Sequence, residues 1–170
     1  MDVSENGVCC RDLRRYAGVR LIDAVAAKRI AKESHMASIR REISIDVSPA
    51  QAWSALRDVG ALHTRLVVGF VTDCHMDGNT RVVTFANGVV AREVIVDVND
   101  SERRLVWSAS GGRLTHHNAS AQVVAEANGR SCVVWIADLL PDDMAGAIAA
   151  MIEQGTLAMK RTLELAAKDA

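Results

Sequence analysis

Between Val67 and Leu140 the chain reads as one strand-like run after another, and after Pro141 it reads as one helix to its end. The runs are "VVGFVTDCHM", "TRVVTFA", "VVAREVIVDV", "RRLVWSAS", "LTHHNASAQVVAEA" and "RSCVVWIADLL", each closed by turn residues. Strands joined by such short connections pair antiparallel, so this stretch can hardly be anything but a meander. "FANGVV" carries the clearest turn signal, because Asn87 and Gly88 tolerate the positive φ angles of a two-residue hairpin. "NDSE", "SGGR" and "ANGR" supply the next three turns. A meander of this size must bury one face, and the final helix is the element long enough to cover it. About 25 helical residues span roughly 38 Å. Asp142 and Asp143 stand in its first turn, where they complement the helix dipole. Met144, Ile148, Met151, Gly155, Met159 and Thr162 form one stripe along it. Glycine in a helix interior costs roughly 1 kcal/mol, so Gly155 is read as a point of close approach to the sheet.

Ahead of the meander, "IRREISIDV" alternates as a strand does, and "SPAQAWSAL" continues as a helix. Ser48 is its N-cap and Pro49 its first residue, where a missing N–H costs nothing. A second short helix is expected over Ala61–Arg65, after Gly60. Residues 1–37 read as an extension, either helical or disordered, and 38–170 as the folded domain. In the extension, Leu13, Tyr16, Ala17, Leu21, Ala24 and Val25 recur at helical spacing, leaving Arg14, Arg15 and Lys28 elsewhere around the helix. A membrane- or partner-binding basic helix, a packed or frayed extension, and sequence upstream of a start at Met36 all fit that pattern.

At 170 residues, with 49% hydrophobic and 24% charged positions, the chain can build one well-buried core. Its formal charge of −1 provides no concentrated basic surface, so no nucleic-acid partner is expected. Cys9, Cys10, Cys74 and Cys132 follow no CxxC spacing, which suits reduced thiols and a cytoplasmic location. No apolar run approaches the roughly 20 residues of a membrane span, and no signal-peptide pattern opens the chain. His63, His75, His116, His117 and Cys74 form no local metal motif. No serine elbow and no phosphate-cradling glycine loop is present, so no metal and no cofactor is expected.

Side chains alternate across a sheet, so turn lengths decide which residues share a face. With an even number of residues in every turn, Val83, Phe85, Val90, Arg92, Val94, Leu105, Trp107, Ala109, His116, Asn118, Ser120, Gln122, Val133 and Trp135 share one face. Glu93, Asp97, Asp138, His117, Ala119 and Ala121 fall on the other. The large aromatics mark the first face as the inside. In this register Val83, Arg92, Ala109 and His116 lie in one cross-strand row, Trp107 adjoins Asn118, and Gln122 is opposite Trp135. An inward arginine with no carboxylate in its row needs water, a neighbouring polar group or a ligand oxygen, which points to a wet cavity. A bulge anywhere would invert the faces beyond it.

The order of strand, two short helices, six-strand meander and long helix resembles the helix-grip fold of the SRPBCC superfamily. That superfamily includes START lipid-transfer domains, the birch-pollen allergen family and polyketide cyclase/dehydrase-like proteins. "ISIDVSPAQAWSALRDVG", "VVAREVIVDVNDSERRLVWSASGG" and "GRSCVVWIADLLP" look most like the polyketide cyclase/dehydrase branch. The resemblance implies an α+β domain in which a curved seven-stranded antiparallel sheet wraps the C-terminal helix around an apolar cavity. Two functions follow. In a binding module, Phe85, Trp107, Trp135, Met144, Ile148 and Met151 line the cavity, and Arg92, His116, Asn118 and Gln122 orient the oxygens of a hydrophobic or aromatic ligand. In an aromatase, cyclase or dehydratase, Arg92 stabilises an enolate and His116 shuttles the proton. A homodimer is open under either.

Overall fold

The computed structural model describes residues 35–169, so the helical pattern expected around Leu13–Val25 lies outside the described residues. Strand β1 (Ala37–Ile45) leads into helix α1 (Pro49–Leu56). Ser48 caps α1 as its sequence suggests: its Oγ accepts from the Gln51 N–H, and the Gln51 side chain accepts from the Ser48 N–H. The second short helix is a single π turn, Leu62–Leu66. Six strands follow: β2 (Val71–Asp77), β3 (Thr80–Phe85), β4 (Val90–Asn99), β5 (Arg104–Ser110), β6 (His116–Ala125) and β7 (Ser131–Leu140). Helix α2 (Ala145–Lys168) closes the fold, entered through a short 3-10 turn over Asp142–Met144. The sheet is antiparallel in the order β1-β7-β6-β5-β4-β3-β2, so β1 folds back against the last strand and leaves β2 at the opposite edge.

Turn geometry overturns part of the expected register. Between β3 and β4 the Phe85 N–H donates to the Val89 carbonyl at 2.8 Å, so three residues, Ala86 to Gly88, make the turn. Gly88 has φ 82°, the left-handed residue that such three-residue hairpins place last. The odd count turns β4 over. Arg92 pairs with Val82 rather than Val83, and Glu93, directly opposite Arg81, points inward. A bulge at Val96, between the Ile95–Trp107 and Asp97–Val106 pairs, accompanies a return to the expected faces in β5. Leu105, Trp107 and Ala109 are accordingly inside.

The same thing happens at the next connection. Gly111 bridges Leu114, as an even turn requires, but the ladder resumes at Trp107–Ala119, one residue out of step. Strand β6 therefore presents His117, Ala119, Ala121 and Val123 to the core, and His116, Asn118, Ser120 and Gln122 to the outside. The β6–β7 turn is again odd, with the Glu126 N–H on the Arg130 carbonyl at 2.9 Å, and returns Val133 and Trp135 to the inner face. The aromatics are thus where the sequence places them, while the polar residues of β4 and β6 exchange sides.

Helix α2 lies against this inner face in two regimes. Toward its C-terminal half Ile152, Gly155, Thr156, Ala158, Met159 and Leu163 are buried in the core with Ile45, Leu56, Leu66 and Val133. Toward its start Met144, Ile148 and Met151 are only half-buried. Gly155 lies in the buried stretch. A Cβ built there would stand 3.2 Å from the Phe70 ring and 3.4 Å from the Trp135 ring, so the close approach is to aromatic side chains. Gly155→Leu is expected to lower stability by roughly 1–3 kcal/mol, despite leucine's better helix propensity. Urea denaturation of wild type and variant checks the sign; an unchanged midpoint would show that the helix is not held close at this point.

Candidate functional site

Along α2, from its first turn to Met159, the sheet and helix enclose a cavity of about 350 Å³. Its wall is apolar for most of its extent: Phe70, Phe85, Leu105, Trp107, Trp135, Ile148, Met151 and Met159 all contribute. Phe70 meets Phe85, and Trp107 meets Trp135, edge to face, each pair with centroids 5.3 Å apart. Such pairs set the wall's shape as well as its hydrophobicity. Val89 and Val90, just after the β3–β4 turn, and Gly111 to Arg113 from the β5–β6 turn, line the other end of the cavity. Most of these are exposed, so the cavity reaches the surface between the two turns and the start of α2. Arg113 at this mouth pairs with Asp143 at 3.0 Å, joining the β5–β6 turn to the segment that enters the helix.

Apart from Arg113 at the mouth, three ionisable side chains among the described residues line the wall, all buried: Arg81, Glu93 and His117. Arg81 Nε donates to Glu93 Oε2 at 2.6 Å, and the two side chains are 4% and 11% exposed. They face each other across the β3–β4 ladder, so the strand pairing itself holds the contact. The guanidinium also lies 5.1 Å from the Trp107 ring centroid, which adds a cation–π contact. The charge of Arg81 is thereby matched inside the wall.

His117 is held differently. Its Nδ1 accepts from the Ala109 N–H at 3.3 Å, where the β5–β6 ladder has lapsed. A backbone amide only donates, so Nδ1 carries no proton and the neutral ring bears its hydrogen on Nε2. That nitrogen has no hydrogen-bond partner among the described residues and is not sealed by protein atoms. Burial lowers the His117 pKa from its ordinary value, against the opposing pull of the Glu93 carboxylate. The cavity therefore meets a neutral imidazole with a donor to offer. Cys74 of β2, paired with Val83 of β3, is buried with its Sγ toward the Val59 carbonyl at 3.6 Å, and burial raises its thiol pKa. It is outside the cavity wall.

The residues expected at the site divide cleanly. Phe85, Trp107, Trp135, Met144, Ile148 and Met151 line the cavity. Arg92, His116, Asn118 and Gln122 do not. Arg92 is exposed and pairs with Asp77 at 2.9 Å, His116 is exposed, Asn118 pairs in register with Asp138 on the outer face, and Gln122 donates to the Glu102 carbonyl. The odd turn before β4 and the slipped ladder before β6 are the reason. Sequence reasoning missed the polar residues that do face inward. Arg81 carried a usable signal, since it stands two and four residues before Val83 and Phe85 on the same strand. Glu93 and His117 needed the turn lengths.

The family model described as polyketide cyclase / dehydrase and lipid transport matches residues 36–164. Among solved structures, a Bacillus thuringiensis protein is similar at TM-score 0.68 and 20% identity, covering 75% of this chain and 98% of its own. The protein XoxI from Bacillus cereus has TM-score 0.68 and 20% identity, over 76% of this chain and 97% of its own. Truncated norcoclaurine synthase from Thalictrum flavum has TM-score 0.60 and 17% identity, over 76% and 92%. These likenesses are of fold. A comparison with curated proteins returns no match.

Removing Glu93 would leave the Arg81 charge buried and unpaired. Glu93→Ala is expected to cost about 3–5 kcal/mol, and the double variant Arg81→Met/Glu93→Leu to recover most of it, as seen for buried ion pairs elsewhere. Chemical denaturation of the three proteins measures this; equal losses in single and double variants would show that the pair's mutual neutralisation is not what matters. His117 adds a pH dependence. Its folded pKa lies below the unfolded value of about 6.5, so the unfolded chain takes up the proton first as pH falls. The contribution of His117 is complete at neutral pH and above, and is lost as pH falls below about 6.5 toward the folded pKa. Stability measured between neutral pH and pH 5 should fall more steeply in wild type than in His117→Gln; parallel curves would count against a buried neutral imidazole.

Proposed function

The chain belongs to the polyketide cyclase/dehydrase and lipid transport family, and on that premise we propose that it binds one small hydrophobic or aromatic molecule in the cavity between sheet and helix. The observation that carries the reading is the cavity's wall, apolar and aromatic around a short polar ridge of Arg81, Glu93 and His117. Its volume of about 350 Å³ is at the small end of the usual range for ligand sites. That suits a ring compound of two or three rings better than a two-chain lipid. Edge-to-face aromatic pairs give such a molecule flat surfaces to lie against, and half-buried Met144, Ile148 and Met151 can shift to fit it.

Binding is favoured over turnover by how the polar groups are engaged. A cyclase or dehydratase needs a base, yet Nδ1 of His117 is taken by a backbone amide and Nε2 already bears the proton. The Glu93 carboxylate is held by Arg81. Arg92 and His116, the sequence-based candidates for catalysis, are outside the cavity wall. The arrangement is built to hold a molecule.

Two measurements test this. Native mass spectrometry of freshly purified protein is expected to show a mass increment from a retained small molecule, or N-phenyl-1-naphthylamine is expected to bind with a blue shift in its fluorescence. Ile148→Trp, which fills the cavity from the helix side, should weaken binding of the dye at least tenfold while the far-ultraviolet circular dichroism is unchanged. Dye affinity that survives this substitution would place the binding surface elsewhere.

A further inference from the structure

Among the described residues both buried charges on the cavity wall are matched inside it, and Nε2 of His117 offers a hydrogen-bond donor. Arg81 and Glu93 cancel each other across one ladder pair, with the guanidinium further engaged by the face of Trp107. Arg113, at the mouth, is matched by Asp143. A ligand bearing its own charge would find no counter-ion free, and would lose its hydration with nothing in exchange. An uncharged ligand with no polar atom would leave the Nε2–H of His117 dry and unpaired, which costs affinity in the other direction. What satisfies both conditions is a neutral molecule that brings an acceptor.

From this we propose that the cavity selects an uncharged, mostly apolar carbonyl compound, and that His117 is its positioning residue, donating from Nε2–H to the carbonyl oxygen. The inference rests on the cavity being the ligand site. A carbonyl fits better than a hydroxyl because its oxygen accepts and brings no hydrogen that the apolar wall would leave unpaired. The donor is aimed in advance: the Ala109 N–H fixes the ring's tautomer at the place where β5 and β6 cease to pair. Ser108, next to Ala109, ties the same segment by donating from Oγ to the His117 carbonyl at 2.7 Å. The lapse in the ladder is thus used twice, once to turn β6 over and once to free a backbone amide for the imidazole.

Three naphthalenes of nearly equal shape separate the alternatives: 2-acetylnaphthalene, 2-isopropylnaphthalene and 2-naphthoate, each titrated against the full chain at pH 7.5 by displacement of N-phenyl-1-naphthylamine. The ketone is expected to bind about tenfold tighter than the hydrocarbon, the worth of one hydrogen bond to an otherwise unpaired donor. The carboxylate is expected to bind at least tenfold more weakly than the ketone. In the infrared, the carbonyl stretch of bound 2-acetylnaphthalene should fall below its position in hexane. His117→Phe should bring the ketone-to-hydrocarbon ratio to about one and return the stretch to its hexane position, whereas His117→Gln, which keeps an N–H, should retain part of both effects. A wild-type ratio within twofold of one, a stretch unshifted from hexane, or naphthoate competing as well as the ketone would overturn the inference and leave the cavity reading standing. A ratio that persists in His117→Phe would overturn the role of His117. Failure of all three compounds and of the dye to bind would overturn the cavity reading and this inference together.

Discussion

The ion pair between Arg81 and Glu93 is the contact on which the site depends. A hollow lined by Trp107, Trp135 and Phe85 would tolerate neither charge alone, because desolvating one ion costs several kcal/mol that only a well-placed partner returns. Here the partner is guaranteed by strand pairing. Arg81 and Glu93 sit opposite each other in the β3–β4 ladder, so forming the sheet forms the pair at 2.6 Å. Replacing both by apolar residues would serve stability as well, and the fold alone does not require them. What they supply is a polar ridge of zero net charge in an apolar wall, beside an imidazole that burial keeps neutral. The cavity's chemistry is that of an interior that can hydrogen-bond without attracting ions.

Much of the architecture was legible because it depends on pattern. The two-residue period from Val67 to Leu140, the turn residues between runs and the helical stripe after Pro141 all act locally, and the elements follow in the order those signals give, with β2 starting only at Val71 and α2 only at Ala145. Ser48 and Pro49 start α1 for the same reason. The wall residues of β3, β5, β7 and α2 were legible too, since large aromatics and methionines find the inner face whatever the turns do. The polar residues of β4 and β6 were not. Whether Arg92 or Glu93, and His116 or His117, faces inward depends on whether a turn holds two residues or three, and on one slipped step in a ladder. "ANG" is compatible with either turn, and the choice between them is made by the twist and packing of the whole sheet. Two odd connections, followed by the Val96 bulge and the three-residue turn over Ala127–Gly129, cancel in pairs. That is why the aromatics come out right while the polar residues between them do not.

Membership of the family and the hollow fold are one layer of the argument, and the ligand is another. Folds of this kind are shared by proteins with unrelated activities, so the fold states where a ligand would sit and the residues state which one. The structural neighbours are similar at 20% identity or less, which carries the frame and nothing of the chemistry. What distinguishes this chain is therefore in the few polar side chains of the wall and in the partners each already has.

A cavity is destabilising in itself, since its lining atoms lose contacts that a filled core would provide. The protein offsets this by packing the far end of the helix into the core. Below Gly155, α2 is pressed against the sheet with Met159 and Leu163 buried, and the π turn over Leu62–Leu66 packs beside it. Gly155 is the fulcrum: it admits the rings of Phe70 and Trp135 to within ordinary contact of the helix backbone, so the lower half can close. Above it the helix start, with Met144, Ile148 and Met151, stands off the sheet across the open volume. Ile152 and Met159 belong to both, buried in the core and lining the hollow, so packing and vacancy meet in the middle turns of one helix. The part that must meet a guest is the part whose side chains are least committed to the core.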